Sequence, residues 1–227
     1  MMKVKNILFL LSQIALLVIC GLISGDAAFS VVLSVIGITF NYLVSVGVPF
    51  GFLVGLIYAL LNGFYAYRTG VYATFAFMVF LQAPMAIVSF VQWKKKSAGG
   101  NAMLKKMSKK GICILILLML LLFVLLLLVL NAVGSRAVLV DSVFFVFSVS
   151  ACLLLAFMYK NAYIVTLLSG LGGTALWLYQ MLTVKSGLSL AVFYLIVAVN
   201  SVTAIKREYI LKGRDFNDKG RKDIKED

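Results

Sequence analysis

The 227-residue sequence has no histidine, only two prolines and three cysteines, and only 13% charged residues. The three cysteines are scattered and form no CxxC pair, so they indicate neither a metal site nor a disulfide framework. Soluble domains are about 25% charged and roughly half apolar, whereas this chain is 63% hydrophobic. These values exclude an ordinary cytosolic enzyme, a disulfide-rich secreted domain and a disordered protein. They indicate a polytopic membrane protein.

Eight continuous apolar runs predict an all-α polytopic membrane protein with eight transmembrane helices, because lipid leaves no water to satisfy an open backbone. A cleaved signal peptide is the alternative for the first run, but residues 25–28 resemble a cleavage site only loosely, which favours a retained helix. The predicted spans are Ile7–Ile23, Phe29–Val48, Phe50–Tyr67, Val71–Trp93, Gly111–Leu130, Ser142–Tyr159, Ala162–Thr183 and Leu188–Ile205.

The lysine and arginine distribution predicts a cell-membrane protein with both termini in the cytoplasm. With eight spans, 18 of the 21 basic residues fall in segments on one side, and only Arg68, Arg136 and Lys185 fall on the other. Cytoplasmic loops carry such an excess of positive charge. The net charge of +13 is therefore read as an orientation signal. Nucleic-acid binding is not expected, since no aromatic and basic interleaving supports it.

The order of the spans predicts two parallel repeats of three helices each, joined by one linker helix. An odd linker gives both repeats the same orientation, as in the sugar-transporter architecture known as SWEET, where the substrate site lies near the midplane between repeats. The linker has almost no small residues for close packing, so it is expected to face lipid. The predicted segments are an N-terminal helix (1–28), a first repeat (29–93), a basic cytoplasmic loop (94–110), the linker helix with an outer loop (111–141), a second repeat (142–205) and a charged cytoplasmic tail (206–227).

Charged side chains are absent from the middle of every predicted span. Proton-coupled transporters generally need titratable groups at membrane depth, so coupling to protons is not expected. The sequence also contains no phosphate-binding loop, no HExxH and no G-x-S-x-G motif. These absences argue against an ATPase, an intramembrane metalloprotease and an acyl hydrolase. The prediction is a protein that is not an enzyme and needs no cofactor or metal.

The polar residues within the spans are neutral amides, hydroxyls and aromatic rings. Amides are costly to bury unpaired, so together they suit a pocket for a neutral, flat solute that forms hydrogen bonds. The alternative is that they bond helices to one another. Three glycines near residue 170 are likewise read either as close helix packing or as room for a solute. The predicted substrate-binding residues are Asn41, Asn62, Gln82, Tyr163, Trp177, Gln180 and Asn200.

Several local features resemble the PnuC family of nicotinamide riboside transporters. The first repeat contains the cluster Tyr65-Ala66-Tyr67, then Gly70 and Tyr72 after a turn, Pro84-Met85, and Gln92-Trp93 before lysines. The second repeat adds Leu176-Trp177 and a helix with Asn200 that ends at basic residues. The resemblance covers residues 29–96 and 142–208.

The resemblance implies a SWEET-like core and facilitated diffusion of a vitamin or nucleoside, with members associated with nicotinamide riboside, thiamine, riboflavin and deoxynucleosides. It also implies trapping of the imported solute by a cytoplasmic kinase. The nicotinamide riboside branch carries a W-x-x-W-x-x-x-N pattern, and the matching positions here are Tyr163, Thr166 and Gly170. Both tryptophans and the asparagine are replaced, which points to a related or bulkier solute.

The sequence therefore predicts a transporter that moves a small vitamin-like or nucleoside-like solute, nicotinamide riboside or a relative, across the lipid bilayer by alternating access. Its expected partners are that solute, the bilayer, the kinase and a second copy in a homo-oligomer. Two alternatives remain. One is a membrane-embedded binding subunit that works with a separate ATPase through the basic loop 94–110. The other is a non-transporting membrane accessory protein.

Overall fold

The computed structural model describes residues 4–68, 72–97, 104–132, 138–184 and 188–211. These ranges contain eight long helices and no β-sheet. The helices are α1 (Val4–Ser24), α2 (Ala28–Ser45), α3 (Gly51–Arg68), α4 (Tyr72–Ala76, a π-helical turn Phe77–Gln82, and Ala83–Ser97), α5 (Lys109–Ala132), α6 (Val138–Ala156), α7 (Ala162–Val184) and α8 (Leu188–Ile205, continued by a π-helical turn Lys206–Leu211).

Seven of these helices are long and apolar enough to cross a membrane. The exception is α3, a full 18-residue helix whose length would suffice. It is less apolar than the others because it carries three glycines, Asn62, three tyrosines and Arg68. The all-helical prediction is confirmed, and the predicted count of eight spans is confirmed for seven helices.

Two predicted helix ends are wrong by three residues because the backbone turns before the apolar run stops. Helix α2 ends at Ser45 rather than Val48, since Gly47 takes a φ of +83° that suits glycine. Helix α6 ends at Ala156 rather than Tyr159, since Met158 takes a φ of +60°. Met158 is nevertheless fully buried. Hydropathy cannot detect either stop, because these residues are as apolar as the helix before them.

Six helices form a closed ring. Helices α2, α3 and α4 pack in sequence as one triplet, and α6, α7 and α8 pack in sequence as a second triplet. The triplets meet at two seams, where α2 packs on α8 and α4 packs on α6. In each seam the first helix of one triplet packs on the third helix of the other triplet. The two seams are therefore equivalent by the order of helices within the triplets.

The remaining helices lie outside this ring. Helix α1 packs on α2 and α8, and α5 packs chiefly on α6. Of the α5 residues only Leu130 is buried, so the helix presents apolar side chains around most of its circumference. Such a surface suits contact with lipid. The basic loop 94–110 is described only in part, and the tail beyond residue 211 lies outside the described residues.

The two ends of the ring differ in their chemistry. We call one the basic end, formed by residues 46–50, 104–108, 157–161 and 206–211. There the Lys105 backbone N–H donates to the Met158 carbonyl at 2.8 Å, which joins the basic loop to the turn after α6. We call the other the Asp26 end. There the backbone N–H of Ser189 donates to the Asp26 carboxylate at 3.0 Å.

Candidate functional site

A cavity of about 120 Å³ lies between the two triplets, and every helix of the ring contributes to its wall. Neither α1 nor α5 lines it. The first triplet contributes Gly37, Phe40, Asn41, Val44, Phe52, Tyr58, Phe77, Met78, Gln82, Met85, Ala86 and Ser89. The second contributes Phe144, Ser148, Ala151, Cys152, Leu155, Thr166, Ser169, Phe193, Tyr194 and Val197.

None of these lining residues carries a charge at neutral pH. The wall combines aromatic rings with neutral hydrogen-bonding groups. Aromatic faces stack on flat rings and also attract cations. Amides and hydroxyls add directional hydrogen bonds that fix the orientation of a bound molecule. The cavity therefore suits a flat polar molecule that is neutral or carries a diffuse positive charge.

Two amides bring hydrogen-bonding capacity to the cavity. The Asn41 Oδ1 accepts a hydrogen bond from the Asn200 Nδ2 at 3.2 Å, which leaves the Asn41 Nδ2 available. The Gln82 side chain forms no hydrogen bond within the described part of the chain. Across the cavity, the hydroxyls of Ser148 on α6 and Ser169 on α7 are 2.8 Å apart and bond to each other. Unpaired amide groups at a cavity wall are the groups that a ligand can satisfy.

Aromatic residues border the cavity toward the Asp26 end. The ring centroids of Tyr58 and Phe193 lie 6.0 Å apart, and those of Phe193 and Tyr194 lie 4.8 Å apart. Gly37 permits this packing, because a Cβ there would lie 2.7 Å from the Tyr58 ring and 2.9 Å from the Phe193 ring. This wall joins α2, α3 and α8 across one seam of the ring.

A second group of buried residues, which we call the basic-end cluster, borders the cavity toward the basic end and shares Val44 and Phe52 with its wall. It consists of Val44, Phe52, Trp93, Met158, Tyr163 and Ala204. Trp93 is almost completely buried, and its Nε1 donates to the Leu155 carbonyl at 3.1 Å. This bond joins α4 to α6 across the second seam.

A polar network lies beside the basic-end cluster. The Tyr163 hydroxyl donates to the Val44 carbonyl at 3.3 Å and accepts from the Arg207 Nη2 at 3.2 Å. The Arg207 guanidinium also pairs with Glu208 at 2.9 Å. The carbonyl of Val44 is at the end of α2, whereas Tyr163 and Arg207 belong to the second triplet. The network therefore holds the two triplets together at the basic end.

Four of the seven predicted site residues lie in the cavity wall or next to it. Asn41 and Gln82 line the cavity. Asn200 is fully buried and lies behind Asn41. Tyr163 belongs to the basic-end cluster.

The other predicted site residues are not brought to the cavity wall. The Asn62 amide donates to the Tyr58 hydroxyl at 3.2 Å, so it supports a lining residue without lining the cavity itself. Trp177 is half-buried on α7 and is not among the lining residues. The side chain of Gln180 lies outside the described residues. Their roles in binding stay predictions.

The three positions of the altered W-x-x-W-x-x-x-N pattern also separate. Thr166 lines the cavity, and its hydroxyl donates to the Ala162 carbonyl at 2.8 Å. A Cβ at Gly170 would lie 2.8 Å from the Ala198 backbone nitrogen on α8. Of the two readings of the glycines, close packing of α7 on α8 therefore explains Gly170. It also explains Gly173, where a Cβ would lie 2.6 Å from the Tyr194 ring.

Sequence reasoning missed one buried polar residue next to the site. Gln13 on α1 is 6% exposed, and its Nε2 donates to the Asn200 Oδ1 at 2.7 Å. No residue of the N-terminal helix is among the substrate-binding residues that the sequence predicts. A signal was present, since Gln13 is the only amide within that apolar run.

Comparisons with known proteins agree on one family and one fold. The family model described as nicotinamide mononucleotide transporter matches residues 27–206. Among solved structures, the chain is similar to the crystal structure of the vitamin B3 transporter PnuC, with a TM-score of 0.76 and 20% sequence identity. The match covers 92% of this chain and 94% of that one. No curated protein sequence gave a match.

Proposed function

The chain belongs to the nicotinamide mononucleotide transporter family, and we propose that it carries a vitamin-like or nucleoside-like solute, such as nicotinamide riboside, by facilitated diffusion. It is a membrane transporter of the PnuC type. The observation that carries the substrate proposal is the cavity at the seams between the triplets. Substrate sites between parallel repeats are typical of transporters with this architecture.

The chemistry of the wall favours a solute without phosphate. A phosphate group in a pocket needs arginine, lysine or several backbone N–H donors to replace its hydration. None of the described lining residues is a lysine or an arginine. A nucleoside or a vitamin ring can instead stack on the phenylalanines and tyrosines and bond to Asn41 and Gln82. We therefore favour the riboside over the mononucleotide as the transported form.

Alternating access is the mechanism that the seams support. Aromatic residues border the cavity toward the Asp26 end, and the basic-end cluster borders it at the other. Rocking of one triplet against the other would break the contacts at one end while keeping those at the opposite end. No charged residue lines the cavity, so the proposal includes no ion coupling. Phosphorylation by a cytoplasmic kinase would then retain the imported solute.

The orientation, the repeats and the linker belong to the same proposal. We place the basic end in the cytoplasm with both termini, as the lysine and arginine distribution predicts. Helices α2–α4 and α6–α8 are the two parallel repeats, α5 is the linker, and α3 is the eighth membrane span. The equivalence of the two seams supports this assignment, because both triplets use their first and third helices in the same way. Assembly into a homo-oligomer stays a prediction.

Ligand-dependent stability and uptake into proteoliposomes test the proposal. The panel contains nicotinamide riboside, nicotinamide mononucleotide, thiamine, riboflavin and several nucleosides. A ligand that binds only the folded protein adds about 2.7 kcal/mol of stability at a hundredfold excess over Kd. We expect stabilisation and uptake for at least one unphosphorylated compound and neither for the mononucleotide. Uptake of the mononucleotide alone would contradict the substrate assignment.

The two alternatives predict other results in the same preparation. A binding subunit would be stabilised by its solute, would transport nothing alone and would copurify with an ATPase. An accessory protein would show neither stabilisation nor uptake although it is folded.

A further inference from the structure

Helix α1 lies before the residues that the family model matches, yet a polar side chain of α1 connects it to the cavity. Gln13 and Asn200 form a paired amide contact. The Gln13 Nε2 donates to the Asn200 Oδ1 at 2.7 Å, and the Asn200 Nδ2 donates to the Gln13 Oε1 at 3.2 Å. The same Asn200 Nδ2 donates to the Asn41 Oδ1 at 3.2 Å. Three helices, α1, α8 and α2, are joined by this chain of amides.

The pairing with Gln13 fixes which atom Asn200 presents to Asn41. A primary amide has one acceptor oxygen and two N–H donors. Gln13 bonds to the Asn200 oxygen and to one of its N–H groups, and the second N–H is the group that Asn200 presents to Asn41. Asn41 accordingly turns its own oxygen toward Asn200. Its NH₂ group is left for the cavity that Asn41 lines.

We propose that Gln13 is a positioning residue, which through Asn200 holds Asn41 as a hydrogen-bond donor to an acceptor atom of the transported solute. This inference rests on the proposed transport function. It assigns α1 a part in solute recognition, and it requires that the solute present an acceptor, such as a carboxamide oxygen, a ring carbonyl or a ribose hydroxyl, at the α2 side of the cavity.

Packing alone does not account for this arrangement. A helix that only covers α2 and α8 needs apolar side chains, and an amide 6% exposed on such a helix costs free energy unless it is paired. The pair leaves the second N–H of the fully buried Asn200 without a partner, and the bond to Asn41 satisfies it. Asn41 is a half-buried residue of the cavity wall, so the orientation that this bond gives to its amide decides which of its atoms faces a ligand.

The kinetic test compares Gln13→Met, Asn41→Leu and the double variant in proteoliposomes, with nicotinamide riboside as the first probe and the rest of the panel after it. One hydrogen bond to a ligand corresponds to roughly a three- to tenfold change in affinity. We expect Gln13→Met to raise KM by about that factor with little change in Vmax. Because Gln13 acts through Asn41, the KM of the double variant should equal that of Asn41→Leu. The control is Ser12→Ala, a change at an exposed neighbour on α1.

A structural role alone gives a different result. It would lower Vmax through loss of folded transporter and leave KM unchanged, and either that result or KM effects that multiply in the double variant would overturn the inference.

A second measurement does not depend on the identity of the solute. Thermal unfolding of the same variants without ligand reports whether Gln13 and Asn41, which do not bond directly, are energetically coupled. We expect the loss in the double variant to be smaller than the sum of the single losses. Additive losses would overturn the connection through Asn200. If the wild type transports no panel compound while the coupling is present, the solute assignment fails and the amide connection stands.

Discussion

Gln82 is the lining residue whose chemistry is least satisfied by the protein itself. Its amide lies at the cavity wall on the π-helical turn of α4 and forms no hydrogen bond within the described residues. π-helical turns occur frequently at functional sites, because the extra residue changes the direction in which side chains project. An amide that stays unpaired at a cavity in an apolar bundle is expected to bond to the solute or to water.

Replacing Gln82 by leucine should therefore weaken solute binding without destabilising the protein. We expect KM for the transported panel compound to rise by roughly three- to tenfold, which corresponds to one lost hydrogen bond. The thermal unfolding midpoint without ligand should stay unchanged or rise. Gln92→Leu is the matched control, since Gln92 is an amide of the same helix outside the cavity wall. Equal KM values for Gln82→Leu and the wild type would remove Gln82 from the site.

Trp177→Ala tests the other group of predicted site residues. The sequence predicts that Trp177 stacks on the solute, whereas the cavity wall does not include it. If the cavity is the whole site, this variant keeps the wild-type KM although its unfolding midpoint falls. A raised KM would instead show that the solute contacts α7 beyond the cavity.

At this scale the sequence predicted the type of site residue better than its position. Asn41 and Gln82 were found because a neutral amide in an apolar run is rare and costly. Asn62 met the same criterion and Trp177 was predicted for its ring, but each lies at least one helical turn along its helix from the lining residues Tyr58 and Ser169. Gln13 was overlooked because the pairing partner, Asn200, is 187 residues away. A single sequence shows which side chains are polar but does not show at which depth in the bundle the cavity lies.

Helix α8 begins at an unusual cap, supplied by a residue from a distant loop. The backbone N–H and the hydroxyl of Ser189 both donate to the Asp26 carboxylate. A negative charge near the first turn of a helix satisfies free N–H groups and interacts favourably with the helix dipole. Asp26 therefore joins the turn between α1 and α2 to the start of α8.

Loss of this cap should destabilise the bundle at the Asp26 end. We expect Asp26→Ala to lower the free energy of unfolding by about 1–2 kcal/mol, since both bonds to Ser189 are lost. Asp26→Asn keeps an acceptor but removes the charge, so its loss should be smaller. Thermal unfolding in detergent measures both. Equal losses for the two variants would show that the charge alone accounts for the effect.

The contact between α7 and α8 is set by a glycine. A Cβ at Gly170 would lie 2.8 Å from the Ala198 nitrogen and 3.0 Å from the Tyr194 carbonyl oxygen, and backbone atoms cannot move aside as a side chain can. This is the position where the nicotinamide riboside branch carries asparagine. An asparagine here would require α7 and α8 to move apart.

We expect Gly170→Ala to cost about 1–3 kcal/mol of stability, as overpacking of a tight interface does. Gly172→Ala is the matched control two residues away, because its Cβ would meet only ordinary contacts, the nearest at 3.6 Å from the Phe144 Cα. That variant should be neutral or stabilised by up to about 1 kcal/mol through its better helix propensity. Equal stability of the two variants would contradict the close approach at Gly170.

The elements themselves were more predictable than their ends and interfaces. Length and hydropathy alone identified all eight long helices, because only helices satisfy the backbone within lipid. The early stop of α6 depends on the backbone of Met158, and the cap of α8 depends on a side chain from another loop. Both are tertiary features that local hydropathy does not encode.

At the scale of the whole molecule, both triplets build the wall of the cavity, and different residues border it at its two ends. Aromatic rings packed against Gly37 lie toward the Asp26 end. The basic end has the basic-end cluster and the network of Tyr163, Arg207 and the Val44 carbonyl. One end can open on its own only if the contacts between the triplets at that end break more easily than the packing within each triplet. Within this network the Tyr163 hydroxyl donates to the Val44 carbonyl across the seam, and Arg207 donates to the same hydroxyl from within the second triplet.

A native thiol allows opening at the basic end to be measured. Cys152 lines the cavity, whereas Cys20 on α1 and Cys113 on α5 lie away from it and can be replaced by serine. A membrane-impermeant maleimide, added to the basic end of a transporter of known orientation in vesicles, then reports access to the cavity through the rate of Cys152 labelling. The closed cluster predicts slow labelling of the wild type.

Arg207→Ala removes the charged hydrogen bond to the Tyr163 hydroxyl within the second triplet, and that hydroxyl donates to the Val44 carbonyl of the first triplet. Hydrogen bonds to charged groups are worth roughly 1.5–3 kcal/mol, but only the part that strengthens the Tyr163 bond to Val44 opposes opening. We therefore expect the population open at the basic end, and with it the labelling rate, to rise by up to about tenfold. Lys206→Ala removes the same charge from an exposed neighbour and should leave the rate unchanged. A transported solute should slow the labelling of Arg207→Ala by occupying the cavity. Equal labelling rates in Arg207→Ala and Lys206→Ala would show that Arg207 does not restrict access at the basic end. The basic-end cluster would then be the structure that restricts it.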